Sequence, residues 1–337
     1  MERYKRIKIS AVPGLIQTLT GGFKIVSDHM ELIILPVLFD LLIWLGPRTT
    51  IYHLFNVQLK QLFARMLYST PITLYTQVDA FSKAFDQLLK GYNLTSSVSM
   101  FPLSVPILLN GMQIEASTEN TKLLLPTIRT IELSSISSAF LISLALAVVG
   151  FLFGLVYYLA IAQRFSPHPA RITFDSLVRR IFNVIVFLIL VAFAMMALMI
   201  PVSCISSVAV MLSPLMSQIV IFLLLFSLAW LIVPFFFVFH GLFYGQSIRN
   251  AVKLSFNIGS WFSSMISFFI VQVIVISQGL KLIWTIPQTN SWLMLIGILG
   301  NAYIVTSLIG ASFLLYWNYQ KWIIANEELL TKGPTQI

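Results

Sequence analysis

Residues 181–248 contain no Asp, Glu, Lys or Arg, and the same is true of 133–163, 254–280 and 282–320. Crossing about 30 Å of hydrocarbon takes about 20 mostly apolar helical residues, so each run meets the requirement and the first has room for two helices. Composition agrees. Of 337 residues, 58% are hydrophobic and 10% charged, whereas a soluble domain carries about a quarter charged residues. The reading is an all-α integral membrane protein, located in a cell membrane. A disordered chain, a disulfide scaffold and an ordinary water-soluble enzyme are excluded. A transporter, a channel, a lipid enzyme and an accessory subunit are not.

Six transmembrane helices are expected, at 30–45, 136–163, 181–201, 216–240, 261–284 and 292–317. The first is short and carries Glu31 near one end and Asp40 inside. The long uncharged run is divided where Pro201 and Pro214 bracket Ser203, Ser206, Ser207 and Ser213, a composition suited to a turn. The chain then divides into a cytoplasmic N-terminus with an amphipathic helix (1–29), the first span (30–45), an extracytoplasmic loop region (46–135), a five-helix membrane region (136–320) and a cytoplasmic tail (321–337).

Lys and Arg accumulate on cytoplasmic loops. Arg3, Lys5, Arg6, Lys8 and Lys24 precede the first span; Arg164, Arg171, Arg179 and Arg180 follow the second; Arg249 and Lys253 follow the fourth; Lys321 and Lys332 follow the sixth. Both termini are therefore expected in the cytoplasm. Tryptophans prefer the head-group level: Trp261 with Trp284 and Trp292 with Trp317 bracket the last two spans, and Trp44 fits the outer end of the first. The net charge of +9 is explained by this asymmetry and by attraction to anionic lipids, without a nucleic-acid partner. Cys204 is the only cysteine, which excludes an internal disulfide and a cysteine metal cluster.

Three segments share one design. Leu15, Leu19, Phe23 and Val26 fall on one helical face before the first span. Phe174, Leu177, Val178 and Ile181 do so before the third, and Ile248, Val252 and Phe256 before the fifth, each opposite polar or basic residues. Such helices lie in the cytoplasmic interface. The chain reads as three hairpin units, each a surface helix, an outward span and a returning span, in parallel rather than inverted repetition.

The stretch 241–269, with Gln246, Ser247, Ile248, Ala251, Val252, Ser255 and Trp261 set before an apolar span, resembles a segment of bacterial six-span membrane proteins. These are typified by the membrane domain attached to some glycerophosphodiester phosphodiesterases. Residues 13–44 resemble the opening segment of that group, and together the two stretches cover about a fifth of the chain. The catalytic domain of those enzymes has no counterpart here. The resemblance implies a membrane module of the bacterial inner membrane without catalytic residues, and it assigns no functional residue.

In the loop region, Ile51, Leu54, Phe55, Leu59, Leu62, Phe63 and Met66 share a helical face, as do Leu74, Val78, Phe81, Phe85 and Leu88. Two amphipathic helices are expected, lying on the outer leaflet or capping the bundle. Residues 96–109, broken by Pro102 and Pro106, read as extended chain or an edge strand.

Ionisable and polar groups within spans are the candidate sites. Asp40 is the principal one, with Arg48 placed to neutralise it; its alternatives are a structural role and an ion or proton role. Gln272 and Asn301 lie near the middle of neighbouring spans and are expected to hydrogen-bond, with a substrate-binding pair as the rival. Gly150 and Gly154 form a small-xxx-small pair suited to close helix packing, and Thr306 with Gly310 is similar. Glu31, His29 and His240 are read as interfacial or helix-end residues. No catalytic, cofactor or metal-binding set is expected, since P-loop, dinucleotide-binding, zinc and Gly-x-Ser-x-Gly patterns are missing. The favoured function is a non-enzymatic structural or accessory module that binds membrane lipids, other membrane proteins or further copies of itself. A transporter or channel with a polar path near Asp40, Gln272 and Asn301 is the first alternative, and a lipid-modifying enzyme the second.

Overall fold

The computed structural model of the chain describes residues 14–69, 72–101, 103–109, 130–166, 173–287 and 291–326. It is predominantly helical. In chain order come α1 (Leu15–Asp28), a 3-10 turn (Met30–Ile33), α2 (Ile34–Leu45), β1 (Arg48–Thr50), α3 (Tyr52–Ser69), α4 (Ile72–Gly91), a 3-10 segment (Leu94–Ser99) and β2 (Thr130–Glu132). Then follow α5 (Ile136–Arg164), α6 (Phe174–Leu212), α7 (Pro214–Ile232), a 3-10 turn (Val233–Phe235), α8 (Val238–Phe243), α9 (Ile248–Trp284) and α10 (Met294–Ala325).

Among the described residues, four helices are long and apolar enough to cross a membrane: α5, α6 as far as Ala209, α9 and α10. The other two expected spans do not form single long helices. The stretch 30–45 is a 3-10 turn followed by α2, whose 12 residues reach only about 18 Å. The stretch 216–240 begins in α7 but breaks at Val233–Phe235 before α8, because Pro234 lacks the N–H that would continue the helix.

The polypeptide gathers into two compact units. The first comprises Met1–Ile25, Leu159–Ile274 and Leu308–Ile337; the second comprises Val26–Tyr158 and Val275–Ser307.

In the first unit, Thr173 caps α6, its side chain accepting from the Ser176 N–H. The expected turn after 201 does not occur, since α6 runs through Pro201 to Leu212. Apolar surroundings favour an unbroken helix, and within it Ser203 Oγ donates to Ile200 O and Ser207 Oγ to Ser203 O. The chain turns instead at Ser213, whose Oγ accepts from Met216 N–H at 3.1 Å, with Pro214 opening α7. That is the favourable order of a serine cap followed by proline.

Ser255 of α9 repairs the break at Pro234. Its Oγ donates to Pro234 O at 2.6 Å and accepts from Phe237 N–H at 3.2 Å. Between α8 and α9 the chain turns at Gly245, φ +90°, a conformation that side chains resist. Arg180 packs over this turn and donates to Phe243 O at 2.9 Å. Helix α9 joins the expected surface helix and span in one run, interrupted at Phe262 (φ −124°, ψ 19°). There the Phe262 ring stacks on Tyr319 of α10 at 4.2 Å.

In the second unit, β1 and β2 pair in parallel, Arg48 opposite Thr130 and Thr50 opposite Glu132. Between these strands lies the α3–α4 hairpin. Trp44 and Trp292 meet edge to face at 5.8 Å; Trp44 is buried, so it packs inside the protein instead of facing head groups.

Candidate functional site

The most unusual feature of the second unit is a pair of irregular, largely buried stretches, 93–99 and 103–109. The sequence reading placed extended chain or an edge strand over 96–109. In the structure this stretch opens as the 3-10 segment Leu94–Ser99 and then runs without regular secondary structure through 103–109. Leu94, Val98, Leu103, Val105, Leu108 and Leu109 are buried, together with Ser96, Ser97 and Ser104. Irregular backbone in apolar surroundings needs a partner for each N–H and C=O, and the local serines and asparagine supply several.

Asn93 holds the beginning. Its Oδ1 accepts from Thr95 N–H and from Thr49 N–H in β1, both at 3.1 Å. Ser96 Oγ donates to Asn93 O, and Ser99 Oγ reaches across to Val105 O at 3.0 Å. From α5, Ser143 Oγ donates to Ser97 Oγ at 2.9 Å.

Asp40 holds the end. It is completely buried. Leu108 N–H donates to both carboxyl oxygens at 2.9 Å, and Leu109 N–H donates to Oδ1 at 2.9 Å. Two successive N–H groups thus converge on one carboxyl. The donors that the structure gives Asp40 are backbone amides. The carboxyl works as a peg on which a chain segment 68 positions away is hung.

Gly150 and Gly154 complete the cradle. The sequence reading gave them to helix–helix contact; the structure sets them against the irregular segment. A Cβ at Gly150 would overlap the Val98 carbonyl oxygen. One at Gly154 would overlap Leu103 O and stand 2.8 Å from Ser104 Cα. Only hydrogen fits, so the small pair admits a peptide backbone where a helix was expected. Gly150 is the central residue of the 29-residue α5. The segment therefore reaches the middle of a membrane-length helix and returns to Asp40. One turn beyond Gly154, Tyr157 OH lies 2.9 Å from Thr306 Oγ1 of α10.

The remaining sequence candidates are placed as follows. Asn301 is buried in the second unit. Gln272 lies in the first, and its Oε1 is enclosed without a hydrogen-bond partner. Gly310 receives the ring of Phe165. His29 and Glu31 pair with each other at 3.1 Å. His240 sits among Phe236, Phe237, Phe313 and Tyr316, with Nε2 2.8 Å from Ser312 Oγ. Among the described residues no group of three or more His, Cys, Asp and Glu could hold a metal ion.

Sequence reasoning missed residues 93–109 as an embedded segment, although a signal was present. Residues 91–114 carry no charge, a run of membrane-span length that the two prolines disguised as surface chain.

Compared with family models, curated proteins and solved structures, the chain matches none of them.

Proposed function

We propose that the protein is a non-enzymatic structural or accessory module of a cell membrane, one that binds lipids or membrane-protein partners, with both termini in the cytoplasm. In this reading α2 and the interrupted α7–α8 run join the four long helices to make six membrane segments in three hairpin units. The resemblance to the membrane domain of glycerophosphodiester phosphodiesterases points the same way.

One observation carries the proposal. Asp40, the acidic group most eligible for ion or proton traffic, accepts three backbone hydrogen bonds and supports Leu108 and Leu109. A carboxyl that holds a distant chain segment in place is suited to architecture, which supports the structural role over ion or proton traffic. The helices α6 and α7 add a second support. They leave large apolar side chains such as Phe193, Met196, Phe222 and Phe226 uncovered along most of their length, surface available to lipid tails or to the spans of another protein.

The test is purification in native lipid, followed by mass spectrometry of what co-purifies, beside solute-flux measurements in vesicles. Retained lipids or a stoichiometric protein partner, with Asp40→Asn changing stability but no flux, is the expected outcome. A saturable flux abolished by Asp40→Asn in a stably folded protein would replace this reading with a transporter.

A further inference from the structure

The α3–α4 hairpin has two chemically different sides. Phe63, Phe81 and Phe85 form a ring cluster between the helices, with centroids 5.9 to 6.2 Å apart. Next to it, along one side of the hairpin, Leu62 is 51% exposed, Met66 44%, Phe81 59% and Leu88 46%. The helical period places Leu62 and Met66 of α3, and Phe81 and Leu88 of α4, on this common side. On the other side Lys60, Lys83, Lys90, Asn56 and Asp86 rim a groove of about 370 Å³ whose floor includes Leu59, Phe63, Phe85 and Leu89. This side carries charged groups that suit water, with Lys83 paired to Asp79 and Lys90 to Asp86. The apolar side does not.

We infer that the hairpin lies flat on the bilayer that holds the protein, with Leu62, Met66, Phe81 and Leu88 inserted at the boundary between head groups and acyl chains. Continuity of the chain argues for that occupant. The base of the hairpin is fastened by Thr49 N–H donating to Asn93 Oδ1 and by the β1–β2 pair. Only three residues separate β2 from α5, a helix of membrane length, so the base lies within about 14 Å of the end of α5. From there α3 extends about 27 Å. Upright, it would carry its apolar side into water; flat, it meets lipid as an amphipathic interfacial element. Among the described residues nothing covers Leu62, Phe81 or Leu88, which argues against this side capping the bundle.

This inference rests on the membrane assignment and deepens the lipid-binding part of the proposed function. The test uses the full chain with Cys204→Ser, reconstituted in nanodiscs of equal phosphatidylcholine and phosphatidylglycerol, carrying single nitroxide labels at Leu62→Cys, Phe81→Cys, Leu88→Cys, Lys83→Cys and, on α5, Leu152→Cys. Collision with oxygen reports lipid, and collision with a water-soluble nickel chelate reports solvent. The expected result is a severalfold higher oxygen-to-nickel ratio at Leu62, Phe81 and Leu88 than at Lys83, approaching Leu152. Equal nickel access at Phe81 and Lys83, with Leu152 still in lipid, overturns the inference and leaves the membrane assignment standing. Nickel access at Leu152 as well overturns both. Shielding of Leu62 and Phe81 that disappears on dilution with empty nanodiscs, or spin–spin broadening relieved by unlabelled chain, assigns the face to a second copy and also overturns it.

Discussion

Replacing Asp40 with Ala should detach the irregular segment from α2, and the cost can be worked from the geometry. Leu108 and Leu109 N–H both lose their acceptor in a buried site. Each orphaned buried donor costs about 1–3 kcal/mol, so two cost about 2–6 kcal/mol. The lower half of that range applies if lipid or water relaxes into the gap, since hydrogen bonds in membrane proteins measure about 0.6–2 kcal/mol. Asp40→Asn retains an oxygen able to accept both N–H groups but turns an NH₂ toward Leu108 N–H, and should lose about half as much. The assay is hydrogen–deuterium exchange of the peptides covering 103–109 in the full-length protein in nanodiscs, with thermal unfolding alongside. At 1.4 kcal/mol per tenfold, a loss of about 3 kcal/mol accelerates exchange through local opening about a hundredfold, and Asp40→Asn falls between Ala and wild type. If Asp40→Ala leaves both exchange and melting at wild-type values, the carboxyl is not what holds the segment, and the structural reading of Asp40 fails with it.

Further expectations follow from the same contacts. Gly154→Ala drives a methyl into Leu103 O and Ser104 Cα, backbone that cannot rotate away, so it should destabilise by more than the usual 1–3 kcal/mol of overpacking; Gly279→Ala, which meets nothing within 4 Å, is the control in a detergent melting series. Ser255→Ala removes the acceptor of Phe237 N–H and the donor to Pro234 O, costing about 1–3 kcal/mol, measurable as a lower melting temperature that Ser255→Thr partly restores. In the α3–α4 hairpin, the hydrogen bond from Lys90 holds the Asp86 carboxyl below its ordinary range, helped by the Tyr52 hydroxyl. A depressed carboxyl stabilises the fold above its unfolded pKa of about 3.9 and loses that contribution as pH falls through the folded value. The stability difference between wild type and Asp86→Asn should therefore be present at neutral pH, start to fall near about pH 4 and vanish only once pH is below the depressed folded value. Because the pair is exposed it should stay under about 1 kcal/mol.

What the sequence disclosed and what it withheld divide along a physical line. Where one solvent acts on the full length of a helix, the pattern is sufficient. The uncharged stretch 133–163 predicts α5 almost to the residue, and 292–317 predicts the greater part of α10. The periodicity of Leu62, Phe63, Phe81 and Phe85 likewise predicts the hairpin. The failures lie where a side chain from elsewhere supplies what the local backbone lacks. Pro201 signals a break, yet α6 runs through it, because in apolar surroundings a continuous helix keeps the most backbone groups bonded. Pro234 does break its helix, and the serine that makes the break tolerable comes from α9, 21 positions on. Asp40, Gly150 and the 93–109 segment were each visible as anomalies: a buried acid, a small-residue pair, an uncharged stretch with prolines. Their common explanation is three-dimensional. The acid is affordable because two amides have no other acceptor, the glycines are small because a carbonyl passes over them, and the proline-rich stretch can enter because both are in place. Each anomaly is the complement of the others, so altering Asp40 or Gly154 should release the same segment, and exchange over 103–109 in the double variant should be no faster than in the worse single variant.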